Sequence, residues 1–207
     1  MNILKKIQYN TPVILTYALL SLIVLVIGQI TGGRSDELLF MVRPAPLTDP
    51  LTYVRMVGHV LGHSNPNHYL NNFLLILLIG PILEEKYGSV LMLIMIIITS
   101  VITGAIFLLV SRDAGLYGAS GIVFMLIMLS SFVNLKQGRI PLTLILVIVV
   151  YIGREVYQGF TAIEGNNISH LTHIIGGMCG AVLGYFINVR RMGKEKKEMP
   201  VSESEVI

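Results

Sequence analysis

Charge and cysteine are scarce in this chain, and tryptophan is missing altogether. Only 13% of its 207 residues are charged, against 54% that are hydrophobic. A soluble domain carries about 25% charged residues, so lipid is the solvent this composition expects. The single cysteine, Cys179, sits inside an apolar run. That excludes a disulfide within the chain and any cysteine-based metal site, and Cys179 reads as a small packing residue. The chain shows no internal repeat and no soluble domain. The excess of 15 Lys and Arg over 12 Asp and Glu is small, and no nucleic-acid partner is expected.

What the chain does have is six apolar segments, at residues 13–30, 69–83, 90–110, 118–133, 140–152 and 168–189. The pattern predicts an all-α, polytopic membrane helix bundle over residues 12–190, with six transmembrane helices. Spanning a bilayer takes about 20 residues. The second and fifth segments are short, as expected of spans that lie inside a bundle or end at a water-filled cavity. Lys5 and Lys6 precede the first segment, which also admits a secretory signal. Its apolar run is longer than a signal core and no A-x-A-like site follows, so a retained helix is expected.

Orientation follows from where the cations fall. With the N-terminus inside, Lys5, Lys6, Lys86, Lys136, Arg139, Arg190, Arg191, Lys194, Lys196 and Lys197 lie on the cytoplasmic side. Arg34, Arg43, Arg55, Arg112 and Arg154 lie outside. The positive-inside rule then gives a cytoplasmic N-terminus over residues 1–11 and a charged cytoplasmic tail over residues 191–207, read as a disordered anchor. The one long connection, residues 32–67, falls on the outer side and is expected to fold against the membrane surface.

This topology gives the polar residues a common address. Segments two, four and six all enter from the outside, and their first residues read HSNPNHYLNN, GASG and ISHLTHIIGG. At 1.5 Å per residue, Ser120 and His173 lie within about 10 Å of the outer hydrocarbon edge. His68 and Asn72 share one face of segment two, a turn apart. Polar groups at such a depth are costly and mark functional sites, the alternative being hydrogen-bonded glue between helices. A serine with a histidine in reach is the minimal pair for nucleophilic acyl transfer. A histidine ring, an asparagine amide and the serine's own N–H can supply an oxyanion hole. In segment six, His173, Gly176, Gly180 and Gly184 form one stripe, the kind of small-residue face that draws membrane helices together.

In these features the sequence resembles a rhomboid-family intramembrane serine protease of the compact six-helix form. GASG matches the family's GxSG, HIIGGMCG its H-x-x-G-x-x-x-G, and HYLNN its H-x-x-x-N. The resemblance makes Ser120 the nucleophile, His173 the base, and His68 and Asn72 oxyanion donors. It adds Gly118, Gly121, Gly176, Gly180, His63, Arg55 and Glu84 as supporting residues. Val54 stands where the family has a tryptophan before the arginine, and Phe124 where some members stack a tyrosine on the catalytic imidazole. Asp113 and Glu164 lack the spacing to orient His173, so a Ser–His dyad is implied, with no cofactor and no metal. Transmembrane protein substrates within the lipid bilayer, and residence in a prokaryotic cell membrane, are implied likewise. Segment five is the expected moving gate, and the short segments are expected to frame a hydrated dip. The oligomeric state is unknown. Two alternatives stay open. One is a catalytically silent, client-binding relative. The other is a metal-dependent membrane protein using the helical ligand spacings His59/His63 or His170/His173, although Val60 replaces the glutamate of H-E-x-x-H.

Overall fold

The computed structural model describes residues 8–132, 142–147, 149, 150, 153, 157 and 167–198. Seven α-helices follow in order: α1 (Pro12–Ile30), α2 (Pro50–Gly58), α3 (Pro66–Tyr87), α4 (Ser89–Val110), α5 (Ser120–Ser131), α6 (Leu142–Val147) and α7 (Asn167–Glu198). Among the described residues, extended pairing is confined to a single antiparallel bridge between Val42 and Leu116. Each apolar segment supplies one helix, and α2 is an additional helix inside the long connection. Among the described residues, three helices are long and apolar enough to cross a membrane: α1, α4 and residues 170–189 of α7. The protein is a polytopic membrane helix bundle.

Helix starts are written locally. Pro12, Pro50 and Pro66 each open a helix, where the fixed proline φ suits the first turn and the missing N–H costs nothing. Asp49 accepts the N–H of Leu51 at 2.9 Å, and Asn65 accepts that of His68 at 2.9 Å, so each side chain satisfies a donor the first turn leaves unpaired.

Two segments differ from expectation. Segment two becomes a 22-residue helix, because its polar first turn is helical too. Segment four gives a helix, α5, of only 12 residues. Its end at Phe132 is closed from outside, the Asn188 amide of α7 donating to the Phe132 carbonyl at 2.7 Å. The tail also departs from a disordered reading as far as Glu198, since α7 runs on unbroken to that residue. Most of segment five, read as the gate, lies outside the described residues, as do Glu164 and residues 199–207.

The core centres on α5, with α3, α4, α6 and α7 packed around it and α1 packed on α3. Ile122, Met125, Leu126 and Leu129 of α5 are fully buried. Large apolar side chains exposed on α1, α3 and α4, such as Leu19, Leu74 and Ile94, face the solvent this composition requires. The close seam is between α5 and α7. A Cβ at Gly176 would collide with the Gly121 carbonyl, and one at Gly180 with the Met125 carbonyl. The two backbones touch there without intervening side chains, which fits the small-residue rule for membrane helices.

At the opposite end from Ser120, Glu84 ties α3 to α1. Its carboxylate accepts the N–H groups of Val13 (3.0 Å) and Ile14 (2.9 Å) and the Ser89 hydroxyl (2.7 Å). The two N–H groups belong to the unpaired first turn of α1, where negative charge is favoured, and Ser89 opens α4. Glu84→Ala would leave several buried donors unpaired, and loss of about 3 kcal/mol of stability is expected. Thermal or denaturant unfolding of the purified protein checks this, with Glu84→Gln expected to lose less.

Candidate active site

Ser120 is the first residue of α5, reached by a loop whose backbone is held from outside. The Gly118 N–H donates to the His59 carbonyl at 2.9 Å, and the Ala119 N–H donates to His63 Nε2 at 3.3 Å. Gly118 has φ +134°, a left-handed conformation that side chains strain to adopt. Its missing side chain matters as well. A Cβ there would stand 2.9 Å from His68 Nε2 and 4.0 Å from Asn72 Nδ2. Gly118 therefore lets the His68 ring and the Asn72 amide of α3 close against the backbone just before Ser120. The unpaired N–H groups of the first turn of α5 lie beside it, with the positive end of that helix.

From α7, His173 Nε2 reaches Ser120 Oγ at 2.8 Å. Phe124, one turn beyond Ser120, stacks flat on the imidazole, the ring centroids 4.7 Å apart and the planes 8° from parallel. Gly176 is what brings the rings so close, since α7 rests directly on Gly121 there. A half-buried imidazole at this distance can take the hydroxyl proton and return it.

His63 is fully buried beside this pair. Its Nε2 faces Asn72 Nδ2 at 3.1 Å as well as Ala119 N, and its Nδ1 faces Ser21 Oγ and the Leu61 carbonyl, each at 3.2 Å. His68 Nδ1 pairs with Ser64 Oγ at 3.2 Å, which turns the other ring edge toward Gly118. His59 follows α2 in a turn, not a helix, so His59 and His63 do not share a helix face. The His59 ring lies between the Met56 carbonyl (3.1 Å) and Thr103 Oγ1 (3.3 Å). Among the described residues, no group of three potential ligands converges on a metal position. Burial in the α2–α3 connection pushes both His59 and His63 down to about 4, so both are neutral at pH 7.

Sequence residues thus fall into three places. Ser120, His173, Phe124, Gly118, Gly121, His68, Asn72 and His63 come together, with Gly176 and Gly180 behind them. Arg55 lies in the long connection, donating from Nε to the Leu38 carbonyl at 2.8 Å and from Nη1 to Asp49 at 3.3 Å. It fastens α2 to the π-helical turn Asp36–Phe40. Val54 beside it is 49% exposed, so the anchor is made by the arginine. Glu84 is at the far end of α3. Ser21, Ser64 and the His59 carbonyl were not singled out from the sequence; no motif marks them, because their partners are remote in the chain.

The Rhomboid domain model matches residues 50–190. The chain belongs to the rhomboid family. It is 26% identical over 168 residues to the rhomboid protease GlpG of Haemophilus influenzae, covering 79% of this chain and 87% of that one. It is 24% identical over 138 residues to the chloroplastic rhomboid-like protein 11 of Arabidopsis thaliana, covering 61% and 49%. Rhomboid-related protein 1 of Caenorhabditis elegans is 28% identical over 141 residues, covering 64% and 39%. The site residues on α3, α5, α7 and the α2–α3 connection, from His59 to Gly180, all fall within the matched region of this rhomboid.

Two outcomes are expected. Gly176→Ala places a methyl against the Gly121 carbonyl and forces α7 away from Ser120. A misplacement of about 1 Å costs about 10²-fold in rate, measurable as turnover of a model transmembrane substrate with the protein still helical by circular dichroism. Stability should also depend on pH. The unfolded-state value for histidine is 6.5 and the folded values are about 4, so the unfolded chain binds more protons between them. Stability therefore falls as pH drops from about 6.5 to about 4, and His63→Gln should shallow that slope in unfolding midpoints measured across the window.

Proposed function

We propose that this rhomboid is an intramembrane serine endopeptidase that hydrolyses transmembrane segments of other membrane proteins with a Ser120–His173 dyad. The observation that carries the reading is the 2.8 Å contact between His173 Nε2 and Ser120 Oγ, with the His68 ring and the Asn72 amide packed against Gly118 two residues before the serine. Ser120 Oγ attacks the scissile carbonyl carbon while His173 takes the hydroxyl proton. The carbonyl oxygen, now negative, receives hydrogen bonds from the Ser120 N–H, His68 and Asn72. Collapse breaks the C–N bond, and His173 gives its proton to the departing amine. Water then attacks the acyl-enzyme, again losing a proton to His173, and releases the acid and free Ser120.

The stacked Phe124 holds the imidazole in plane, which supports a dyad with ring packing in the orienting role. Of the substrate, resemblance to the family supports transmembrane segments with small residues and locally unstable helices near their outer end. The cation asymmetry supports cytoplasmic termini in a cell membrane, with the Ser120 end of the bundle facing outward.

Ser120→Ala and His173→Ala are each expected to abolish cleavage of a reconstituted transmembrane substrate, with no further loss in the double variant, because nucleophile and base act as a unit. Asn72→Ala and His68→Ala should each cost about 10²–10³ in rate. His170→Ala should keep substantial activity and chelators should have no effect. Chelator-sensitive cleavage surviving Ser120→Ala would overturn the serine mechanism. A reporter that is active only outside the cytoplasm, fused after Ile207, should stay silent.

A further inference from the structure

The two donors that meet at His63 fix more than its own position. Ala119 N–H is a backbone donor with one hydrogen and no alternative role, and it points at His63 Nε2 from 3.3 Å. That nitrogen must therefore carry a lone pair, and the ring proton must sit on Nδ1. The surroundings of Nδ1 agree. Ser21 Oγ sends its own proton to the Leu61 carbonyl at 2.7 Å, leaving its lone pairs to accept from His63 Nδ1 at 3.2 Å. With Nε2 an acceptor, the Asn72 group 3.1 Å away has to be the amide NH₂, since an oxygen there would set two lone pairs against each other. One hydrogen of that NH₂ goes to His63. Its partner hydrogen remains for the side of Gly118, where Asn72 Nδ2 lies 4.0 Å from the place a Cβ on that glycine would take.

We propose that His63, as the neutral Nδ1–H tautomer, is a positioning residue of the oxyanion site that turns the Asn72 amide donor-first toward Gly118 and pins the Ala119–Ser120 peptide. This role rests on the proteolytic reading above and deepens it. His63 touches no reacting atom. Its burial, at 0% exposure, excludes water as a substitute acceptor at Nε2. The titratable groups that face it are His68, whose ring meets it edge-on at 4.9 Å, and Tyr69 at 5.6 Å, both from α3; α1 presents the uncharged Ser21. A cation at His63 would turn Nε2 into a third donor among donors. The Asn72 amide would then flip its oxygen inward and present no hydrogen aligned by His63 to the site.

The test compares the full-length protein with its His63→Leu and His63→Gln variants in lipid vesicles, using a model single-span peptide with a Gly- and Ala-rich cleavage region. Leucine removes the acceptor, whereas the glutamine Oε1 can reach the place of Nε2. His63→Leu should lower kcat by about 10–10²-fold with KM within about twofold, less than loss of a direct donor, and His63→Gln should restore most of the loss. Combining His63→Leu with Asn72→Ala should cost clearly less than the product of the two single losses, because only the hold on the Ala119–Ser120 peptide is lost anew. Equal losses in the two His63 variants, or additive losses with Asn72→Ala, would overturn the positioning role. A readout that needs no activity is ¹⁵N-histidine NMR of the wild-type protein, with the His63 signals assigned by their loss in His63→Gln. A protonated Nδ1 and bare Nε2 at pH 7 are expected, and a protonated Nε2 would overturn the proposal. Absence of any Ser120-dependent cleavage by the wild-type protein would instead defeat the proteolytic reading, and the tautomer would still be measured.

Discussion

The backbone contact between α5 and α7 is the constraint on which the rest of the site depends. A serine and a histidine 53 residues apart in the chain meet at 2.8 Å only if their helices approach more closely than side chains normally allow. Gly176 against Gly121 and Gly180 against Met125 remove those side chains on one face. In lipid there is little hydrophobic force between helices, so close van der Waals packing has to supply the association. The same contact therefore holds the bundle together and sets the reach of His173. Phe124 completes the geometry from the α5 side, its flat stacking leaving the imidazole few orientations.

A second constraint comes from the backbone itself. Within a membrane every N–H and C=O must find a partner inside the protein, and α5 starts and stops inside the bundle. Its approach loop is satisfied by the His59 carbonyl and His63 Nε2, and its end by the Asn188 amide. The first turn of α1 is satisfied by Glu84. Each of these partners is buried, polar and contributed by a different helix or connection. Polar residues that composition alone would count as liabilities in lipid thus permit a short central helix. A short helix in turn brings its N-terminal donors and Ser120 to one place.

The long connection belongs to the same scheme. Arg55 and Asp49 close α2 over the π-helical turn, and the carbonyl of His59, the residue after α2, takes the Gly118 N–H. The bridge between Val42 and Leu116 ties the connection to the loop before Ser120 a second time. The loop leading to Ser120 is therefore clamped by a segment of chain far from it in sequence.

By itself, the sequence determined the membrane bundle, the positions of the helices that its six apolar segments form, and the roster of chemically able residues; α2, inside the long connection, was not among them. These are local properties: apolar run length, proline and asparagine at helix starts, and the placement of Ser120, His68, Asn72 and His173 at one end. The glycine stripe on α7 was legible too, because 3.6-residue periodicity puts Gly176, Gly180 and Gly184 on the His173 face. The length of α3 and the brevity of α5 were not legible, since polar flanking residues become helical or not according to the partners that receive their backbone. Nor was the continuation of α7 into the charged tail, where an established helix propagates at little cost. Only the tertiary structure decided that Gly118 faces His68 and Asn72, and that Phe124 lies flat on His173. It alone joined Ser21, His63, Asn72 and Ala119 in one network. Hydrogen bonds need distances within a few tenths of an ångström, and residues 42 to 56 positions apart reach that accuracy only after the helices have packed.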